Sequence, residues 1–140
     1  MKKDIDYTKP FLIKFPKIGG EQGFISLAEK ENLPFEPKRI YWTYYTPEDI
    51  ERGFHAHYKL KQILIAVAGT IIVSIQDKNE KRYEYKLTSP DVGVYIPEMC
   101  WRSMKYTHNA VQVCIASMEY SEKDYIRGYG LFLMTIKGAI

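Results

Sequence analysis

Cysteine is nearly missing from this chain: only Cys100 and Cys114 occur. Their spacing fits neither a disulfide framework nor a zinc motif, and it predicts free thiols in a reducing compartment. Long apolar runs are missing too. No stretch approaches the roughly 20 residues that a membrane-spanning helix requires. The start, Met1-Lys2-Lys3-Asp4-Ile5-Asp6, carries charge where a signal peptide needs an apolar segment. A cytoplasmic protein is the expectation. Charge of one sign is not concentrated anywhere. Twenty Lys and Arg against 17 Asp and Glu leave a formal net charge of +3, and Lys14, Lys17, Lys30, Lys38 and Lys59 are scattered. A nucleic-acid partner needs a clustered basic surface, so none is expected. Repeats and low-complexity segments are also absent.

What is present is ordinary in bulk and unusual in one residue. The 140 residues are 46% hydrophobic and 26% charged, the balance of a single globular domain spanning 1–140. Twelve are tyrosine, a residue that buries a large ring while keeping a polar tip, which suits sheets and wet pockets.

The dominant period is two. Apolar or alternating runs lie at Phe11–Phe15, Phe24–Leu27, Arg39–Tyr45, Gln62–Val67, Thr70–Ile75, Arg82–Leu87, Val92–Ile96, Arg102–Tyr106 and Val111–Ser117. Turn signals separate them, among them Gly19-Gly20, Ala68-Gly69, Asp77-Lys78-Asn79 and Ser89-Pro90-Asp91. Many short strands at near-regular spacing predict an all-β sandwich or barrel. A helix is predicted only over Ser121–Tyr129, with Ser121 as N-cap and Glu122 in the first turn. Along Arg39–Tyr45, one face carries Arg39, Tyr41 and Thr43 and the other Ile40, Trp42 and Tyr44. Gln62, Leu64 and Ala66 oppose Ile63, Ile65 and Val67, and Gln112 and Cys114 oppose Val113 and Ile115. This pattern fits a barrel whose lumen holds a site, and equally a sheet with one face in water.

The stretch Arg52-Gly53-Phe54-His55-Ala56-His57 carries the chemistry. On an extended segment, two histidines at i and i+2 point to the same side. They could share a metal or do acid–base work. The spacing on to Gln62 and Gly69 resembles the first motif of the cupin superfamily, and Gly93–Arg102 resembles the second. The resemblance implies a ligand set of three histidines and one glutamate. This chain has Gln62 at the glutamate position and Arg102 at the last histidine position. A guanidinium repels a divalent cation and a neutral amide binds one weakly, so neither a metal nor another cofactor is expected. His55, His57, Tyr41, Arg39 and Arg102 remain as candidates for proton transfer and for stabilising negative charge. His108, beside Asn109 in a turn, is read as a surface residue.

Larger blocks are more specific. Lys38–Trp42, Arg52–Gln62, Ser89–Ile96 and Asp124–Arg127 resemble, in order, the cupin-type sugar-nucleotide 3,4-ketoisomerases, also called 3,4-oxoisomerases, which include the WxcM-like proteins. That resemblance spans about Phe11 to Tyr129. It implies an RmlC-like jelly roll and a homodimer with exchanged N-terminal strands. It also implies movement of the ketone of dTDP-4-keto-6-deoxyglucose from C4 to C3. The downstream product would be a 3-amino-3,6-dideoxy sugar for lipopolysaccharide O-antigen. The family's base falls on His55 and its proton-shuttling tyrosine on Tyr41, with His57 as a third catalytic position. Arg39, Arg102, Gln62, Tyr95 and Trp101 fall at substrate-binding positions. In the family the C4 configuration of the product varies with residues near Gln22 and Arg102. Here Gln22 matches neither class and Arg102 leans toward the gluco product. A 3,5-epimerase and a non-catalytic carbohydrate-binding cupin are the alternatives.

Overall fold

In the computed structural model, which describes residues 4–138, the period-two segments become twelve strands and one helix. They are β1 (Phe11–Lys14), β2 (Lys17–Gly20), β3 (Gly23–Ser26), β4 (Arg39–Tyr44), β5 (Glu51–His57), β6 (Gln62–Ala68), β7 (Ile71–Gln76), β8 (Arg82–Leu87), β9 (Val92–Ile96), β10 (Trp101–Tyr106), β11 (Val111–Ala116), β12 (Tyr125–Ile126) and α1 (Tyr129–Ile136). Two five-stranded antiparallel sheets pack face to face, in the orders β1-β9-β6-β11-β4 and β12-β5-β10-β7-β8. β2 and β3 form a separate hairpin with Gln22 in its turn. This is the antiparallel jelly roll with a short C-terminal helix that the alternation and the family resemblance point to.

The alternation explains which faces meet. Leu64 and Ala66 of β6 and Val94 and Ile96 of β9 pack inward against Ile71, Val73 and Ile75 of β7. On the other side of the first sheet, Ile63, Ile65, Tyr95 and Ile115 are covered by Ile13, Phe15 and Leu33. β6 is therefore buried on both faces, which is why it reads as a nearly continuous apolar run. Each such aliphatic side chain contributes about 1.5–3 kcal/mol by leaving water. The turn after β6 needs Gly69, whose φ is +67° and whose absent Cβ would lie 2.6 Å from Ala110 Cα.

The sandwich is asymmetric at its two long edges. At one edge, β8 approaches β9 and the Tyr85 hydroxyl donates to the Pro10 carbonyl 3.2 Å away, drawing the sheets together. At the opposite edge, β4 and the β5–β12 pair end their respective sheets without bonding to each other.

Two sequence expectations are corrected. Gly19 and Gly20, read as a turn, are the end of strand β2. The predicted helix at 121–129 is a single 3-10 turn at Glu122–Asp124 followed by β12, and the helix begins only at Tyr129. Tyr125 and Ile126 pair with His57 and Ala56 instead. Burial of Ile126 beside Ala56 and Phe132 outweighs the local helix signal. The helix has eight residues, and no helix among the described residues is long and apolar enough to cross a membrane.

Candidate active site

The unpaired edge opens into a cavity of about 360 Å³ lined by Arg39, Tyr41, Arg52, His55, Tyr125 and Arg127 among others. Arg39 and Tyr41 reach it through the alternation of β4, and Tyr125 and Arg127 through the i, i+2 spacing around β12. His55 arrives by a less regular route. Arg102 pairs with His55 and Ser103 with Gly53, so Phe54 is an extra residue in a β-bulge. Gly53 has φ +97° and Phe54 has φ +58°. A non-glycine residue held there costs about 1–2 kcal/mol. The inserted residue shifts the parity of the strand, so that Arg52 and His55, three apart, face the same cavity. At Gly53 a Cβ would come within 2.9 Å of the Arg102 carbonyl oxygen, so the bulge admits little else.

The two imidazoles stand side by side as their spacing predicts, with ring centroids 5.0 Å apart and nearly perpendicular planes. Tyr125 wedges against both, 5.1 Å from His55 and 4.4 Å from His57. Only His55 lines the cavity. His57 sits behind it, 1% exposed, with Nδ1 3.2 Å from Asp124 Oδ2 but off the line of a hydrogen bond. Asp124 instead accepts from the backbone N–H groups of Lys59 and Leu60, bracing the β5–β6 turn.

Beneath the cavity floor lies a fully buried polar group. Arg102 is 1% exposed. It donates from Nε to the Cys100 carbonyl and from Nη1 to Gln62 Oε1. Gln62 Nε2 in turn donates to the Tyr41 hydroxyl oxygen at 2.8 Å and to Cys114 Sγ at 3.2 Å. The two residues that depart from the cupin metal pattern are thus bonded to one another. Among the described residues, no three His, Cys, Asp or Glu side chains converge as a metal site would require.

Charge and burial set the protonation states. Burial lowers the His55 pKa to about 4, helped by the positive Arg102. The same two causes, with His55 itself, lower His57 to about 2. Both rings are therefore neutral at pH 7, with a lone pair free to take a proton. Burial raises Tyr41 well above an ordinary phenol, opposed by the charge of Arg102. Burial also pushes Cys114 up to about 11, so it is a thiol. At the mouth, the Glu122 carboxylate accepts from Arg127 at 2.6 and 2.8 Å, and the Arg127 guanidinium lies 4.1 Å from the Tyr125 ring centroid. Arg39 lies 5.2 Å from the Tyr41 ring centroid.

The sequence candidates therefore divide. His55, Tyr41 and Arg39 meet at the cavity, while His57, Gln62 and Arg102 form the layer beneath it. Tyr95 and Trp101 do not line this cavity. Tyr95 is an odd-numbered member of β9 and points to the outer face of the first sheet. There it packs on Phe11 and Tyr7 and its hydroxyl donates to the Tyr7 carbonyl. Trp101 faces away from the cavity because its neighbour Arg102 faces in. It packs against Tyr129 and Phe132 beside a larger groove of about 650 Å³ that holds no histidine. Arg52, Tyr125 and Arg127 also line the cavity without a sequence signal that marks them as site residues. The bulge concealed the first, and the predicted helix hid the strand alternation that aims the other two.

Comparison with known proteins agrees with this geometry. A family model, FdtA, described as WxcM-like, C-terminal, matches residues 8–137. The TDP-4-oxo-6-deoxy-alpha-D-glucose-3,4-oxoisomerase of Aneurinibacillus thermoaerophilus is 38% identical over 123 residues, 86% of this chain and 88% of that protein. A 3,4-ketoisomerase from Helicobacter canadensis has a crystal structure with TM-score 0.88 and 31% identity, covering 93% of this chain and 98% of the other. A mutant of the 3,4-ketoisomerase QdtA from Thermoanaerobacterium thermosaccharolyticum, in complex with TDP-4-keto-6-deoxyglucose, has TM-score 0.88 and 33% identity, covering 96% and 97%.

Proposed function

This chain belongs to the FdtA family of WxcM-like proteins, and from that membership we propose that it isomerises TDP-4-keto-6-deoxyglucose by moving the ketone from C4 to C3. The observation that carries the mechanism is the convergence of a neutral, cavity-facing His55 with Tyr41, whose oxygen already accepts a hydrogen bond. The 4-keto group acidifies the hydrogen on C3. His55 takes that proton and leaves an enediolate across C3 and C4. The imidazolium then sits beside a new anion, which offsets the depression of its pKa by burial. Tyr41 passes a proton from O3 to O4, and His55 returns its proton to C4. No atom is gained or lost. Arg39, Arg52 and Arg127 line the cavity and suit the diphosphate, and Tyr125 offers a ring for stacking.

The reaction is read as metal-independent, supported by a guanidinium and a neutral amide at two ligand positions. A homodimer is supported by the exposed outer faces of β4, with Ile40, Trp42 and Tyr44, and of the β2–β3 hairpin, with Ile18, Phe24 and Ile25. An exposed apolar edge of this kind is usually covered, and exchange of N-terminal strands would cover it. Two unpaired buried thiols suit the cytoplasm. Supply of a 3-keto sugar for amination fits synthesis of a surface polysaccharide such as O-antigen.

The Asp124–His57 approach favours a second reading, 3,5-epimerisation, which also begins by removing a proton beside a 4-ketone. Incubation with the keto sugar in deuterium oxide, with and without chelator, separates the two. Isomerisation exchanges C3 and delivers deuterium to C4 of a 3-keto product, with turnover unaffected by chelation. Label at C3 and C5 with the ketone still at C4 would establish the epimerase. No label at all would leave only a binding protein.

A further inference from the structure

Gln62 falls at a position that the family resemblance assigns to substrate binding, yet it is 2% exposed and does not line the cavity. Both of its polar atoms are bonded to neighbours. An arginine can only donate, so the oxygen of the Gln62 amide must face Arg102 Nη1 and its nitrogen must face Tyr41 and Cys114. The amide nitrogen has two hydrogens, and it bonds two acceptors: Tyr41 oxygen at 2.8 Å and Cys114 sulfur at 3.2 Å. The direction of this chain has no freedom, because it begins at a cation that cannot accept. We propose that Gln62 is a positioning residue that joins Arg102 to Tyr41 and fixes Tyr41 as a proton donor to the cavity.

The consequence is chemical. The Tyr41 oxygen accepts from Gln62, so its own hydrogen must point elsewhere. The alternative neighbour is Cys114, whose sulfur already accepts from Gln62 and is a weak acceptor. A ligand oxygen in the cavity takes that hydrogen with little competition. Arg102 has no carboxylate partner among the described residues, and its Nη2 is buried without a hydrogen bond. Its uncompensated charge therefore polarises the Gln62 amide, and the amide in turn stabilises negative charge passing through the Tyr41 oxygen. A glutamate at this position would pair with Arg102 but would claim the Tyr41 hydrogen for itself. An amide is the side chain of this size that can accept from Arg102 and donate to Tyr41 at once.

This inference rests on the reading of Tyr41 as the proton shuttle. Gln62→Met keeps the side-chain length without the hydrogen bonds, and Gln62→Glu keeps the shape while reversing the bond to Tyr41. In both, ketone transfer should fall about tenfold to a hundredfold, while deuterium exchange at C3 stays within about threefold and KM stays unchanged. Gln62→Met combined with Tyr41→Phe should be no slower than Tyr41→Phe alone, because the two act as a unit. Multiplicative losses, a raised KM at constant kcat, or equal loss of exchange and transfer would overturn the assignment. The 13C resonance of Tyr41 Cζ gives an independent readout. It should move in Gln62→Met, and move toward the tyrosinate value in Gln62→Glu. That readout does not need turnover. A wild-type protein that fails to move the ketone would sink the function but not the wiring, and an unmoved Tyr41 resonance would sink the wiring alone.

Discussion

Where β8 meets β9, the interior between the sheets is made of Leu87, Val94, Ile71 and Val73, with Leu64 beside them. Where β4 faces β5, the same interior holds Arg102, Gln62, Tyr41, His55 and His57, and the sheets stay apart. The first region is paid in dry contacts. The second carries the costs: a buried guanidinium without a carboxylate, two neutral histidines with lowered pKa, and a non-glycine residue at φ +58°. A domain tolerates such local expense only where the rest of it is well packed. Packing and chemistry are thus separated across one sandwich, and substitutions should separate them too.

The largest effect is expected at the open edge. His55→Asn should lower turnover by about two to four orders of magnitude and abolish C3 exchange, with the melting temperature little changed. His57→Asn should cost less, because that ring lies behind His55 and does not line the cavity. Proton NMR of the sugar in deuterium oxide reads both. Retained exchange in His55→Asn with loss in His57→Asn would exchange their roles.

The closed edge should respond in stability alone. Leu87→Ala removes a 1% exposed side chain from β8 on the dry side and should destabilise the fold by about 2–5 kcal/mol. Below its melting transition the variant should keep the parent ratio of C3 exchange to ketone transfer. Denaturant titration and the exchange assay check the two halves of that statement, and a changed ratio would mean that the regions are coupled.

A smaller effect is expected on the outer surface. Trp42 is 61% exposed between Ile40 and Tyr44, so Trp42→Glu should weaken subunit association while leaving the monomer folded. Light scattering at micromolar concentration should give a dimeric mass for the parent and a lower mass for the variant. A monomeric parent would remove the dimer from the account.

Much of the fold was legible because alternation is a local property. The faces of β4, β6 and β11 follow from residue parity, and so does the meeting of His55 with His57. Tyr95 and Trp101 show what parity does to a motif match. Both stand in motif blocks, but parity along β9 and β10 turns them outward, and a motif match does not reveal the face of a residue. The bulge at Phe54 was invisible because nothing in the sequence marks an extra residue until the partner strand supplies a register. The strand at Tyr125–Ile126 is hidden in the sequence because a capping signal at Ser121 is local, whereas the pairing with β5 joins segments far apart in the chain.

By itself, the sequence determined the all-β class, the faces of the long strands, the histidine pair and the replacement of two ligand positions by Gln62 and Arg102. Side-chain periodicity and ionisation are carried by short segments and need no partner. Only the tertiary structure decided that Arg102, Gln62 and Tyr41 form one directed chain of hydrogen bonds. Those residues come from β10, β6 and β4, and the direction of the chain follows from which donor meets which acceptor when the two sheets close on each other.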